Sequence, residues 1–259
     1  MREKYKEYVI SHYVDKKEST VTIAKNIGVC PATVRNILID NKIARRTYSE
    51  SKRTYIVNEN YFSIIDTDEK AYFLGFIYGD GCNYPEKNLL SITSSKDDKE
   101  HLQKMLSLIS PDKSVKTFKT HLGNQNINME IWNKQISQDL IKLGAIKAKT
   151  KIITFPYFLE PKLYKSFIRG IFDADGCFSY YDIISHNKYK STICEFSISS
   201  TKSICESINS ILNNEIQIPI RKLKVDKRIF EGSAIYKNSN PKELVLIYKY
   251  LYENSIIHL

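Results

Sequence analysis

Asp80 and Asp175 are the two residues of this chain whose type and setting could do chemistry. Each precedes a glycine near the end of one of two similar segments, AYFLGFIYGDGC (71–82) and SFIRGIFDADGC (166–177), which align without a gap. A single Asp-Gly pair often only ends a helix with a turn, but the same pair in register in two copies indicates a shared site. Mg²⁺ binds hard carboxylate oxygens together with water and substrate phosphates. We therefore expect these residues to hold a divalent cation.

Two predicted helices must position this pair. Gly75 and Gly79 lie four residues apart in the first segment, and Gly170 and Ala174 match them in the second, so each helix has a face almost free of side chains. Because glycine inside a helix costs about 1 kcal/mol relative to alanine, we expect a packing reason, with the two backbones in contact. The two aspartates would then meet at the helix ends, where mutual repulsion and the helix dipole favour a bound cation.

The repeat extends beyond the two helices. Residues 89–105 align with 195–211, and residues 127–144 align with 231–248, with a longer first hairpin in the second copy at 180–191. Each copy reads helix, strand, strand, helix, strand, strand, helix, which predicts an α+β fold: a duplicated αββαββα unit with pseudo-twofold symmetry, preceded by a small all-α module. The predicted boundaries are 1–45 for a helix-turn-helix module, 46–61 for a basic linker, 62–155 for the first repeat and 156–259 for the second.

The segment 20–39, TVTIAKNIGVCPATVRNILI, has the pattern of a helix-turn-helix. Its apolar residues would be buried between two short helices that cross at Gly28, and residues 3–14 would supply a further helix. This arrangement binds DNA in many proteins, although it also occurs in helical modules that have no ligand. The second helix offers Arg35 and Asn36 as candidate DNA contacts. A basic arm follows it, with Lys42, Arg45, Arg46, Lys52 and Arg53.

Composition and charge favour a nucleic-acid partner. The net charge is +10, and residues 1–58 carry 12 Lys or Arg against 6 Asp or Glu, which suits a polyanion that releases counterions on binding. No apolar run approaches the roughly 20 residues that span a bilayer, and the amino terminus lacks a signal-like hydrophobic stretch. We expect an intracellular, non-secreted protein with no membrane association. The five cysteines form no CxxC pair, which predicts reduced thiols.

Several predicted strands alternate between apolar and polar residues, so they bury one face. In one of them Ile127, Met129 and Ile131 would point inward, and in another Leu223 and Val225 would do so. The outward side chains could hydrogen-bond base edges in a major groove, which admits a β-ribbon, although any one strand could equally be an ordinary solvated face. The basic candidates for DNA contact are Lys96, Lys116, Lys119, Lys202, Arg221, Lys222, Lys224 and Lys237.

The segments LGFIYGDG and IRGIFDADG resemble the nine-residue signature that names the LAGLIDADG family of homing endonucleases. The resemblance covers residues 62–259 as two repeats and implies a monomer that makes metal-dependent double-strand cuts in a long DNA site. The implied cofactor is Mg²⁺, with Mn²⁺ or Ca²⁺ able to substitute in binding. The metal-binding aspartates of the signature fall on Asp80 and Asp175, and the backbone carbonyls before them on Gly79 and Ala174. The sixth position is Asp173 in the second copy but Tyr78 in the first.

The resemblance also implies a basic catalytic residue near the end of the fourth strand. Lys134 is the match in the first copy, whereas the second copy has Asn238 in register, with Lys237 beside it. An RNA maturase that assists intron splicing is an open alternative on the same scaffold. A non-cleaving DNA-binding regulator is disfavoured because both metal-binding aspartates are present. A protein-splicing element is disfavoured because the chain begins with Met1 and does not end in asparagine. We expect a freestanding or intron-encoded enzyme.

Overall fold

The computed structural model describes residues 3–46, 55–121, 123–147, 149–184, 190–225 and 232–255. The chain divides into two compact units, residues 1–56 and 57–259. Half of the predicted linker, residues 47–54 with Lys52 and Arg53 among them, lies outside the described residues. Within the part of the chain that is described, no helix is both long enough and apolar enough to cross a membrane.

The described part of the first unit contains a 3-10 turn (Glu3–Tyr5) and the α-helices α1 (Lys6–Val14), α2 (Thr20–Ile27) and α3 (Pro31–Asp40). Helix α2 begins where the Ser19 side chain accepts a hydrogen bond from the Thr22 backbone N–H at 3.0 Å, which satisfies a donor of the first turn. It ends at Gly28, whose φ of 65° is the left-handed conformation that glycine adopts without strain. The core of the unit contains Val9, Tyr13, Ile23, Ala24, Val34, Ile37 and Leu38.

The second unit contains the duplicated αββαββα order that was predicted. The first copy comprises α4 (Asp68–Gly79), β1 (Gly81–Tyr84), β2 (Leu89–Ser95), α5 (Lys99–Ile109), β3 (Lys116–Lys119), β4 (Gln125–Trp132) and α6 (Lys134–Lys142). The second comprises α7 (Tyr164–Asp175), β5 (Gly176–Ile184), β6 (Lys190–Thr201), α8 (Lys202–Ile216), β7 (Lys224–Val225), β8 (Ser233–Asn238) and α9 (Pro241–Tyr252). The prediction of the fold class is confirmed.

Each copy forms a four-stranded antiparallel sheet, in the order β1-β2-β4-β3 and β5-β6-β8-β7. One apolar core contains side chains from both copies. Ile127, Met129 and Ile131 point into it, as predicted from their alternation. Val225 lies opposite the buried Ala234, on the same side of the sheet, but 56% of its surface is exposed. The reason is that β7 lies at the edge of its sheet.

The strand register corrects one part of the sequence alignment. Gly81 lies opposite Ile92, which lies opposite Met129, and the equivalent row in the second copy is Gly176, Ile198 and Tyr236. Met129 therefore corresponds to Tyr236, whereas the alignment of 127–144 with 231–248 was three residues out of register. Alternation shows that a segment is a strand, but it does not show which residues of two strands correspond when the hairpins before them differ in length. A shift of one or three residues moves every side chain to the opposite face of the sheet.

Candidate active site

Helices α4 and α7 pack with their backbones in contact. A Cβ on Gly75 would lie 2.1 Å from the carbonyl oxygen of Phe167, and one on Gly170 would lie 2.1 Å from that of Tyr72. A Cβ on Gly79 would lie 2.4 Å from the Cβ of Ala174. No side chain fits at such distances, so these positions require glycine. The expectation that the small residues let the two helices meet is confirmed.

This packing places Asp80 and Asp175 together at the ends of the two helices. Asp80 caps α4, Asp175 is the last residue of α7, and Asp175 Oδ2 lies 3.1 Å from where a Gly79 Cβ would be. Desolvation, and then the charge of Asp175, raise the pKa of Asp80 to about 6. Desolvation likewise raises the pKa of Asp175. Both residues remain accessible to solvent, so a cation can reach them. Without a cation, the two negative charges repel each other.

Lys149 is a buried cation beside this pair, and it was not among the residues predicted from the sequence. It lies in a short 3-10 turn (Lys149–Lys151) between the two repeats, and only 7% of its surface is exposed. Its Nζ donates to the carbonyl oxygen of Gly79 at 3.2 Å and to that of Gly81. Burial lowers the pKa of Lys149, while the charges around it, including Asp175 and Asp80, oppose that shift. These contacts compensate an ammonium whose desolvation alone would cost several kcal/mol.

The only signal for Lys149 in the sequence was the run AIKAKTKII, in which three lysines follow α6. Nothing in that run distinguishes the buried lysine from its neighbours. Lys147 pairs with Glu86 at the surface, and Lys151 is exposed. The distinction depends on how this segment crosses the ends of β1 and α4, which a single sequence does not reveal.

Lys134, the predicted catalytic lysine, is not brought to the carboxylates. It is the first residue of α6, directly beyond the Trp132 end of β4, whereas Asp80 precedes Gly81 at the level of Met129. Five residues of chain separate Lys134 from Met129, and the three of them that belong to β4 alone span roughly 10 Å. The equivalent position in the second copy is Pro241 rather than Asn238, because the helices that follow β4 and β8 are capped by Asn133 and Asn240.

The sixth position of the repeated motif makes contacts between the copies. In the second copy Asp173 accepts hydrogen bonds from the Tyr72 hydroxyl at 2.8 Å and from the Tyr252 hydroxyl. In the first copy Tyr78 donates to the carbonyl oxygen of Leu143 at 2.5 Å, and its ring packs edge-on against Phe167, with the centroids 5.1 Å apart. The oxygens of Asp173 are thus engaged in contacts that hold the helices together.

The predicted DNA contacts of the second unit are distributed over both sides of the sheets. On the outer faces, Lys116 pairs with Glu130 at 3.0 Å, and Lys237 pairs with Glu195. Lys224 lies opposite Ile235 on an outer face. Exposed positions beyond or beside the strands are occupied by Lys96, Lys202 and Lys222, of which Lys202 is 3.5 Å from Glu206.

Two of the predicted contacts lie on the side of the sheet that carries the helices. Arg221 pairs with Glu243 of α9, and its backbone N–H donates to Asn209 of α8 at 3.0 Å. Lys119 lies opposite Gln125, on the side of β4 that also carries Ile127. Neither residue is presented on an outer face, and contact of these two residues with DNA stays a prediction.

The candidates in the first unit also separate into two groups. Arg35 on α3 and Arg45 are exposed, and Asn36 is half-buried. Arg46 instead stabilises its own unit, because its guanidinium donates to the carbonyl oxygens of Lys17 at 2.6 Å and of Glu18. It also lies 4.4 Å from the centroid of the Tyr13 ring. The guanidinium of Arg46 is thus engaged within its own unit, whereas the prediction placed it in a basic arm that contacts DNA.

No protein-family model matches the chain, and no curated protein sequence matches it either. Among solved structures it is similar to the I-LtrWI LAGLIDADG homing endonuclease bound to target DNA. The identity is 14%, the TM-score is 0.51, and the match covers 78% of this chain and 86% of that one. I-SmaMI, bound to an uncleaved DNA target in the presence of calcium ions, matches at 12% identity with a TM-score of 0.46, covering 73% of this chain and 85% of that one. The fold is that of the LAGLIDADG homing endonucleases, as the resemblance implied.

Proposed function

We propose that this chain, which has the fold of the LAGLIDADG homing endonucleases, is a site-specific DNA endonuclease that cuts both strands with metal held at Asp80 and Asp175. The observation that carries the proposal is the meeting of these two carboxylates, one from each copy, beside a single buried lysine. The strands β1 and β5 begin at Gly81 and Gly176, directly after the two aspartates. The pair therefore lies where the two sheets meet the helix ends, and one duplex can contact both sheets and the pair.

The donor set suits a hard cation such as Mg²⁺. Within the described ranges, no group of three or more His, Cys, Asp or Glu side chains could hold a metal ion, so a structural zinc site with four protein ligands does not fit. Mg²⁺ binds through one or two carboxylates and completes its shell with water and phosphate oxygens. Asp80 and Asp175 would hold it, with the carbonyls of Gly79 and Ala174 as further donors. When bound, the metal supplies an activated water and stabilises charge on the phosphate.

The residues of the chain have separate tasks in this proposal. Asp80 and Asp175 are brought together by helix packing, so the repulsion between them favours a cation when DNA arrives. Lys149 places a positive charge at the same point, where it would stabilise the negative charge that develops on the attacked phosphate. Its two carbonyl contacts hold the ammonium in position before the reaction, which avoids reorganisation during it.

The sheets and the first unit would provide DNA binding. Two copies related by a pseudo-twofold axis suit a duplex, since each copy can contact one half of a long site. The outer faces carry serine, threonine, asparagine and lysine side chains that can hydrogen-bond base edges or phosphates. In the first unit, the exposed Arg35 lies on the second helix of the pair α2 and α3, which is the helix that enters the major groove in helix-turn-helix proteins.

The test is a cleavage assay on a library of randomised DNA duplexes, with Mg²⁺ in one arm and a chelator in the other. New double-strand ends are mapped by sequencing. We expect ends at one enriched sequence in the Mg²⁺ arm alone, and none from a protein that carries both Asp80→Asn and Asp175→Asn. Ends that form equally with the chelator, or from the double variant, would overturn the proposal. An absence of sequence-dependent cutting in every arm would overturn it as well.

A further inference from the structure

Strands β5 and β6 form a two-stranded ribbon that extends past the rest of their sheet. They pair from Gly176 opposite Ile198 to Ile184 opposite Lys190, whereas β8 pairs with β6 only from Phe196 onward. In the first copy the matching hairpin already stops at Tyr84 opposite Leu89, the equivalents of Ser179 and Glu195. The second copy therefore has five additional residues on each strand.

The register shows which side chains of this ribbon lie on the outer face. Ser197 lies opposite both Cys177 and Lys237 on that face, so by alternation Tyr181 opposite Ile193 also lies on it, as does Ile183 opposite Ser191. The other face carries Phe178 opposite Phe196, which stacks on Phe172 of α7 at 4.3 Å. We refer to Tyr181, Ile183 and Ile193 as the apolar strip. Tyr181 and Ile183 are apolar but 45% and 40% exposed, because they face away from the core.

The first copy differs in the chemistry of its outer face. There Ser91 donates to the side-chain carbonyl of Asn128 at 3.0 Å, and the Asn128 amide donates to Glu130 at 3.2 Å. These side chains form a hydrogen-bonding group at the centre of the sheet. The position equivalent to Asn128 in the second copy is Ile235, which lies on the outer face opposite Ser199. The outer face of the second copy is thus more apolar both at its centre and along the ribbon.

We infer that the apolar strip recognises the 5-methyl groups of thymines in the half-site that the second copy contacts, an inference that rests on the proposed function. Thymine alone presents a methyl group in the major groove, and apolar side chains contact it there. The strip lies on a strand that leads directly from the candidate active site, because β5 begins at the residue after Asp175. The first copy, with its hydrogen-bonding group, would instead read the donors and acceptors of base edges.

The position of the strip fixes where these thymines lie. Six residues of extended strand separate Tyr181 from Asp175, roughly 20 Å at the rise of a β-strand. Base pairs are about 3.4 Å apart along the duplex, so the thymines lie about six base pairs from the cut, on one side only. Loss of contact with one buried methyl group corresponds to about a fourfold loss of affinity.

The experiment begins with the duplex that the protein binds best, selected from a randomised pool in the presence of Ca²⁺. Each thymine is then replaced in turn by uracil, which lacks only the 5-methyl group, and the Kd is measured. We expect a threefold to fivefold loss at adjacent thymines about six base pairs from the cut in one half-site, and little change elsewhere. The combined variant Tyr181→Ser, Ile183→Ser and Ile193→Ser should bind thymine and uracil duplexes equally.

The matched control is Tyr180→Ser, on the same strand but on the opposite face, where Tyr180 is 80% exposed. It should keep the full difference between thymine and uracil. If no duplex is enriched, the proposed function fails and the inference with it. If a duplex is bound but uracil has no effect in either half-site, the inference alone is overturned. The inference alone is also overturned if Tyr181→Ser dissociates a protein dimer and leaves the thymine preference intact.

Discussion

The backbone of Gly75 lies directly against the carbonyl of Phe167, since a Cβ on this glycine would come within 2.1 Å of the carbonyl oxygen. Gly170 has the same relation to the carbonyl of Tyr72. Phe167 and Tyr72 occupy equivalent positions in the two copies, so the contact obeys the pseudo-twofold symmetry. Asp80 and Asp175 are therefore positioned by two rigid helices in contact and not by flexible loops.

We expect Gly75→Ala to lower the free energy of unfolding by about 3 kcal/mol, since neither backbone can move away without disturbing the core. Urea unfolding measures the change. Gly123→Ala is the control, because Gly123 has a φ of 86° but nothing within 4 Å of an added Cβ. Its cost should be limited to about 1 to 2 kcal/mol for the left-handed backbone. Equal effects of the two substitutions would contradict the close packing of α4 and α7.

Asp80→Asn and Asp175→Asn should each reduce the cleavage rate at least a hundredfold while the Kd for DNA changes less than threefold. Each substitution removes a metal ligand but leaves the sheets and the helix contact intact. Rates are measured on the enriched duplex with Mg²⁺, and the Kd with Ca²⁺. Asp112→Asn, in the loop before β3, is the control and should behave as the unaltered protein does. Normal cutting by either of the first two variants is incompatible with a shared metal site.

The raised pKa of Asp80, about 6, predicts a pH-dependent affinity for Mg²⁺. The metal binds the ionised carboxylate, so protons compete with it below that pKa. The affinity for Mg²⁺ should fall up to tenfold for each pH unit below about 6, and it should change little above 7. Titration calorimetry of the DNA-free protein measures this. An affinity that does not change between pH 5 and 7 would show that Asp80 is not a ligand.

The same shift has a consequence for stability in the absence of metal. The folded state holds the Asp80 proton more tightly than the unfolded chain does, so the contribution of this group is favourable at low pH and is lost as the pH rises from about 4 through 6. At pH 7 with a chelator, Asp80→Asn should therefore melt at a higher temperature than the unaltered protein. Added Mg²⁺ should reverse the order, because only the unaltered protein gains binding energy.

Lys149→Met should lower the cleavage rate at least tenfold and move the acid limb of the pH profile to higher pH. The charge of Lys149 lowers the pKa of Asp80, so its removal raises that pKa further. Methionine retains the length of the side chain and suits a buried position. Lys151→Met, two residues away and exposed, is the matched control for loss of one positive charge. If both variants shift the profile equally, the effect is general electrostatics and not a local role of Lys149.

In the first unit, two arginines should respond in opposite ways. Arg35→Gln should weaken DNA binding severalfold and reduce the slope of log K against log salt by about one, as expected for one lost phosphate contact, with no change in melting temperature. Arg46→Gln should instead destabilise the unit, since Arg46 contacts Tyr13, Lys17 and Glu18. Binding and thermal melts on each variant separate the two roles. Weakened stability with Arg35→Gln would place that residue in packing.

The sequence predicted well where the signal was local and repeated. Glycines at positions 75, 79 and 170 are explained by close approach of two helices, and they correctly predicted the contact between α4 and α7. It predicted poorly where position depends on distant pairing. The alignment of β4 with its equivalent β8 was wrong by three residues, so Lys134 was matched to the wrong residue of the second copy. Lys149 was missed because its burial results from the path of the segment that follows α6.

The hydrogen bond between Tyr72 and Asp173 also determines which half of the molecule can pair with which. The equivalent of Tyr72 is Phe167 and that of Asp173 is Tyr78, so two first copies would set Tyr72 against Tyr78, and two second copies would set the Asp173 carboxylate against a phenyl ring. Only the mixed pair joins hydroxyl to carboxylate. Lys149 donates to Gly79 and Gly81 of the first copy and interacts electrostatically with Asp175 of the second. If the two halves were produced as separate polypeptides, they should sort into heterodimers, because each half has become a poor partner for itself.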